Sequence, residues 1–237
     1  MSSRWFTCLF AATALFSAAC DDSTGLSDSE AANVRVVHAS ALGATSTTPV
    51  DVLVNGQISA DSEGVGFGGS TECRRVDADS PDLTIQQSGT STVIGTPTSF
   101  TAGGRNTVVL SGPAANLRVT TITDPLTPPL QSGRARVRVF NGTTRPQSMD
   151  VIVTPFNNPA AAVQSSTAIG QAAATEWLEV PAGGASQVRI NNAGTTTTVA
   201  TISVGLTSGE EMILVAVDPV TTGGDIRWVI TSPCPAP

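Results

Sequence analysis

Lysine and tyrosine are absent from the 237 residues, histidine occurs once, and aromatic residues make up only 4%. Without lysine there is no Schiff-base nucleophile, no anchor for pyridoxal phosphate and no Walker-type phosphate loop. Without tyrosine no phenol can serve as an acid or base. Positive charge is scarce as well: 12 arginines face 19 acidic residues for a net charge of −7, which opposes attraction to nucleic acid or to anionic lipid. What remains is 40% apolar and 13% charged, enough to bury a core and unlike a disordered polyelectrolyte.

The first 20 residues, MSSRWFTCLFAATALFSAAC, combine an early charge at Arg4, an apolar run from Trp5 to Phe16 and small residues ending at Cys20. A bilayer core needs about 20 apolar residues, so this run is a cleavable export signal and not a span. Its end, FSAAC, resembles a bacterial lipobox, with Ser17 where leucine is usual. The resemblance implies that Cys20 is acylated and becomes the mature amino terminus. Cleavage by ordinary signal peptidase, leaving a free thiol, is the other reading. The acidic, serine-rich DDSTGLSDSEAA that follows has no apolar period and reads as a tether.

Beyond the tether one pattern is written twice, about one hundred residues apart. NVRVVHAS from Asn33 matches RVRVFNGT from Arg136, and VDVLVNG from Val50 matches MDVIVTP from Met149. Thr71-Glu72-Cys73 aligns with Thr175-Glu176-Trp177, Leu83 and Ile85 with Val188 and Ile190, and Gly103 with Gly209; NLRVTTITDP aligns with DIRWVITSPCP. Self-similarity of this length implies two copies of one fold. The segments are read as a signal peptide over 1–19, an acylated cysteine and tether over 20–32, a first domain over 33–125, a Pro-rich linker over 126–133, a second domain over 134–231 and a tail over 232–237.

Each copy alternates apolar and polar residues, punctuated by Gly, Pro, Asn and Asp, which is the period of half-buried antiparallel strands. Val108 to Leu110 and Met212 to Val217 are continuous apolar runs, as expected of central strands. About seven strands in each copy predict an all-β protein of two tandem immunoglobulin-like antiparallel β-sandwiches, without the tyrosine corner of that fold. The VRVVHAS and VDVLVNG strands, with VPAGG at Val180 to Gly184, resemble the bacterial extracytoplasmic family named domain of unknown function 4397. The first copy has VDADS, Val76 to Ser80, where that family has V-P-A-G. The resemblance implies sandwich domains on exported, often lipid-anchored proteins and brings no catalytic residues.

With Cys8 removed in the signal and Cys20 acylated, Cys73 and Cys234 remain. Two cysteines in an oxidising compartment suggest a disulfide, which would fasten the tail to the first domain and contribute roughly 5 kcal/mol by loop entropy. The alternative is one buried and one exposed thiol. His38 is the only imidazole; with no G-x-S-x-G elbow and Asn141 at its repeat position, it reads as a strand-end residue bonding a loop, not as a hydrolase base. Asp77, Asp79 and Asp82 could hold calcium or form a solvated turn. Arg134, Arg136 and Arg138 line one strand face at about 6.6 Å spacing, either as an anion-binding row or as a solvated face. No cofactor is implied. The reading is a noncatalytic envelope protein attached to a membrane by its lipid, contacting an envelope protein or a glycan; a passive spacer and an extracytoplasmic hydrolase are the rivals.

Overall fold

The computed structural model describes residues 26–41, 48–124, 130–155, 164–219 and 224–236. The expected signal peptide, Cys20 and tether residues 21–25, as well as linker residues 126–129, lie outside the described residues. Among the described residues sixteen strands form four four-stranded sheets. The first copy contributes β1 (Ala31–Ala41), β2 (Val50–Val54), β3 (Gln57–Ile58), β4 (Arg74–Asp77), β5 (Leu83–Gln87), β6 (Val93–Gly95), β7 (Arg105–Pro113) and β8 (Arg118–Asp124). The second repeats them as β9 (Arg134–Asn141), β10 (Ser148–Pro155), β11 (Gln164–Gly170), β12 (Leu178–Pro181), β13 (Gly184–Asn192), β14 (Thr198–Leu206), β15 (Glu211–Val217) and β16 (Arg227–Thr231).

Strand order repeats as faithfully as the sequence. Sheets β4-β1-β7-β8 and β3-β2-β5-β6 form the first half; β12-β9-β15-β16 and β11-β10-β13-β14 form the second. The expectation of wholly antiparallel sheets needs correction in one respect: β1 runs parallel to β7, and β9 to β15. The first and seventh strands of each copy meet side by side after a long excursion through the opposite sheet, and so run the same way. β1 also starts at Ala31, inside the segment read as tether, because Ala31 and Ala32 are fully buried.

Three apolar layers separate the four sheets. Val34, Val36, Val50, Val52, Ile85 and Leu110 fill the first sandwich. Val137, Val139, Met149, Val151, Ile190 and Leu214 fill the second. The third layer lies between the halves: Val37, Ala39, Val109 and Ile122 from one meet Phe140, Ile213, Val215, Val217 and Val229 from the other. Burying each large apolar side chain contributes about 1.5–3 kcal/mol, so the halves pack through this layer instead of hanging from a linker. This explains the unbroken apolar runs of β7 and β15, whose two faces serve two different cores. No helix among the described residues is long and apolar enough to cross a membrane.

The disulfide joins Cys73 to Cys234 with Cα atoms 5.7 Å apart, closing a sequence separation of 161 residues. Cys234 is buried, and the tail is held further by Asn33, whose side-chain amide donates to the Pro235 carbonyl at 3.0 Å. Arg35 donates to the Thr231 hydroxyl at 2.7 Å and to the Ser232 carbonyl at 2.6 Å.

Candidate functional site

His38 lies within β1 and not at its end, since the strand pairs regularly with β7 as far as Ala41, and its side chain is fully buried. Its Nδ1 lies 2.9 Å from the Val65 carbonyl, to which it donates, and its ring meets Phe67 edge-on. Burial holds the imidazole below its ordinary pKa, partly offset by hydrogen bonds to the Val65, Ser40 and Gly66 backbone. The repeat discloses its role. Asn141, at the same position of β9, donates from Nδ2 to the Ile169 carbonyl at 3.1 Å. The backbones of both residues also bond the following loop, His38 with Gly68 and Gly69, Asn141 with Ala172 and Ala173. An amide and an imidazole doing one job share only the capacity to donate, which is a structural task.

The three aspartates of VDADSPD do not converge. Asp77 Oδ1 accepts the amides of Asp79 at 2.9 Å and Ser80 at 2.8 Å, an aspartate-capped turn. Among the described residues no group of three or more His, Cys, Asp or Glu is arranged to hold a metal ion. The turn takes the place of VPAGG in the second half: Ala78 donates to the Glu30 carbonyl as Ala182 does to that of Gly133. The carboxylate of Asp77 supplies what proline and glycine supply there.

The arginine row is not an open cationic face, since Arg136 and Arg138 are turned into the protein and only Arg134 is left partly exposed. Arg136 is buried, is ion-paired with Glu211 through Nε at 2.6 Å and through Nη2, and stacks 5.3 Å from the Trp177 ring centroid. Arg138 pairs with the fully buried Asp124 and donates to the carbonyls of Thr175 at 2.8 Å and Thr123 at 3.0 Å. Arg134 donates to the Glu179 carbonyl at 3.3 Å. The expectation of an open cationic face is corrected for a simple reason. The apolar alternation correctly put Ala135, Val137 and Val139 on one side of β9, but the other side meets the first half of the molecule.

Glu211 is the hub of this interface, paired with Arg105 as well as with Arg136. Burial works against its charge, yet the hydrogen bonds and fields of the two guanidinium groups more than offset that and hold its carboxyl below the usual range. β1 pairs Asn33 with Arg105, and β9 pairs Arg136 with Glu211, so Arg105 and Glu211 occupy equivalent places in the two copies. Equivalent residues therefore meet across the interface with opposite charge. Burial pushes the carboxyl of Asp124 up, against the pull of Arg138.

Four further residues went unassigned in the sequence, although their motifs repeat. Asp51 accepts the amides of Gly64 at 2.8 Å and Gly89 at 3.3 Å; Asp150 accepts those of Ala168 and Gly194, both at 2.8 Å. Each ties two loops to the second strand of its copy. The hydroxyls of Thr71 and Thr175 accept the amides of Val36 and Val139, each at 3.1 Å. An aspartate or threonine retained at matched places in both copies was the signal that could have marked them.

Two clefts flank the disulfide-bound tail. One, of about 380 Å³, runs along Arg35, Glu210, Met212 and Ser232; the other, of about 520 Å³, lies by Asn33, Asn55, Ile58, Arg74 and Pro235. Neither includes His38. Arg74 is spoken for by Asp61, as Glu211 is by its arginines. The exposed large apolar side chains of the described residues are aliphatic, Ile58, Val93 and Ile230, while Phe67, Trp177 and Trp228 are partly buried.

Similarity to solved structures is slight. The Bacillus anthracis TIE protein aligns at 7% identity and TM-score 0.28, over 80% of this chain and 34% of that one, so the chain spans about a third of that structure's length. CBMbc (family CBM26) of Eubacterium rectale Amy13K, in complex with maltoheptaose, aligns at 14% and 0.25 over 85% and 98%. A leucine-rich repeat protein of Bacteroides thetaiotaomicron aligns at 12% and 0.23 over 81% and 27%. These likenesses are too weak to bear on function. No curated protein matches the sequence. A family model does: it matches residues 32–152, just over half of the chain, from the start of β1 through β9 and into β10. With the strand order of that half repeated in the other, the chain belongs to the family described as domain of unknown function DUF4397.

Proposed function

We propose that this chain is a noncatalytic protein of the bacterial envelope, lipidated at Cys20 and held outside the cytoplasm, whose paired sandwiches form a preassembled module for contact with another envelope protein. The observation that carries the reading is the use to which the polar groups are put. His38, Asp51, Asp150, Asp124, Glu211 and the buried arginines are all committed to neighbouring backbone or to the join between halves, and His38 lines neither cleft found among the described residues. Catalysis needs such groups poised and accessible. The Cys73–Cys234 disulfide supports an oxidising compartment.

Crosslinking in intact cells followed by capture of the tagged full chain tests this reading. One envelope protein should be recovered reproducibly, and mass analysis of the amino-terminal peptide should show a diacylglyceryl thioether on Cys20. Recovery of no partner would replace the proposal with a passive spacer. Retention of the chain on a defined glycan would replace it with sugar recognition.

A further inference from the structure

The segment Leu26 to Glu30, read as part of the tether, is built into the folded body. The Ser27 amide and hydroxyl donate to the Glu30 carboxylate at 3.2 and 2.8 Å, and the amides of Glu30 and Ala31 donate to the Ser27 carbonyl, both at 3.0 Å. A serine and a glutamate three places apart thus close a turn. The first half holds that turn in place. Arg75 of β4 donates to the Leu26 carbonyl at 2.8 Å and pairs with Asp28 at 2.7 Å, and the Ala78 and Gly103 amides donate to the carbonyls of Glu30 and Ala31 at 2.9 and 2.8 Å. Residues 21–25 are therefore all that separates Cys20 from the body.

The turn lies at one end of the whole molecule. Arg105 and Glu211, which open β7 and β15, are ion-paired across the halves, and near the other ends of β7 and β9 a Cβ at Gly142 would stand 3.3 Å from that of Ser111. β1 is parallel to β7, and β9 to β15, so all four strands start at the same end. Leu26, the Asp77–Asp82 turn, the approach to β9 and the disulfide-held tail gather there, and the β7–β8 and β9–β10 connections lie opposite. We propose that the end carrying Leu26 faces the membrane at a distance of at most about 20 Å, so that the strands of both halves stand away from the leaflet and the β7–β8 and β9–β10 connections face outward. The proposal rests on acylation of Cys20 and adds an orientation to it. The six steps from Cys20 to Leu26 span about 20 Å when fully extended, whereas β1 with its 11 residues is about 36 Å long, so the body cannot turn over on its spacer. A net charge of −7 opposes its lying flat on anionic head groups, and the exposed Asp28, Glu30, Asp79 and Asp82 keep the near end from settling on them.

The test is energy transfer in vesicles of phosphatidylethanolamine and phosphatidylglycerol, from a fluorescent side chain in the full chain to a short-range acceptor on the lipid head groups. Exposed positions serve at both ends, Asp79 and Ser132 at the near one, Ala115 and Arg145 at the far one. Transfer should be efficient from Asp79 and Ser132 and lost from Ala115 and Arg145. Inserting about 20 Gly and Ser residues after Asp22 lengthens the reach and should weaken transfer from the near pair. Equal transfer from all four positions overturns the proposal. So does a near-to-far contrast that the insertion leaves unchanged, which would mean that the body adheres by one face and is not placed by its spacer. Flotation with the vesicles is read separately: a chain that does not float refutes the acylation on which the proposal rests, and a chain that floats without the contrast refutes the orientation alone.

Discussion

The two halves share a strand order but diverge where they meet each other and where they meet the tail. Inside each sandwich equivalent positions keep one role: Asp51 and Asp150 clamp loops, Thr71 and Thr175 cap an amide, and His38 and Asn141 donate to a loop carbonyl. At the join they part, since Arg105 of one copy faces Glu211 of the other. Trp177, stacked under Arg136, has Cys73 as its counterpart, and there the disulfide holds the tail instead. A duplicated domain packed on itself brings equivalent residues together, and two identical arginines there would repel. Duplication within one chain lets the copies differ, and the difference is what allows the polar rim of the join to be neutralised.

Restoring symmetry is the most damaging test of this account. Glu211→Arg gives the second half the residue of the first, leaves Arg105 and Arg136 unpaired in a mostly buried site, and should cost about 3–5 kcal/mol in denaturant unfolding. An unchanged midpoint would show that the ion pairs do not hold the halves together. A smaller and balanced effect is expected of Thr71→Val and Thr175→Val, made separately. Each leaves a backbone amide without its acceptor for about 1–3 kcal/mol, and the two losses should agree if the copies use the residue alike. Unequal losses would mean that the shared hydrogen bond hides different local packing.

The smallest effect is that of His38→Asn, which imports the residue of the second half. Near neutral pH it should cost only about 1 kcal/mol, since Asn141 shows that an amide can make the loop bond. Its pH dependence is more telling. Burial holds the folded-state pKa of His38 below its ordinary 6.5, so the unfolded chain gains a proton as the pH falls through that value while the folded chain does not. The stability associated with neutral His38 is thus complete above about pH 6.5 and declines below it. The gap between wild type and His38→Asn should therefore narrow as the pH is lowered from about 7.5 to 5.5. Taking the difference cancels Asp124, whose raised pKa acts with the opposite sign. Parallel profiles for the two proteins would mean that the ring is not held neutral.

Much of the fold could be read from the chain because period-two alternation states which residues share a face, and a repeat states that the arrangement occurs twice. Those grounds alone put Val137 and Val139 on the core side of β9 and make central strands of the apolar runs in β7 and β15. The purpose of the acidic turn was less accessible, since a capped turn and a calcium loop use the same residue types and differ only in whether the carboxylates converge.

Alternation by itself determined the strands, their duplication and the partition of each strand into two faces. Only the tertiary structure decided what the second face of β1, β7, β9 and β15 looks upon. A row of arginines spaced for solvent is spaced equally well for carboxylates, and their meeting depends on tertiary packing: Arg136 reaches Glu211 on the neighbouring strand, 75 positions on, and Arg138 reaches Asp124 on a sheet of the other half. Side-chain period is a property of one strand, whereas burial of its polar face is a property of two.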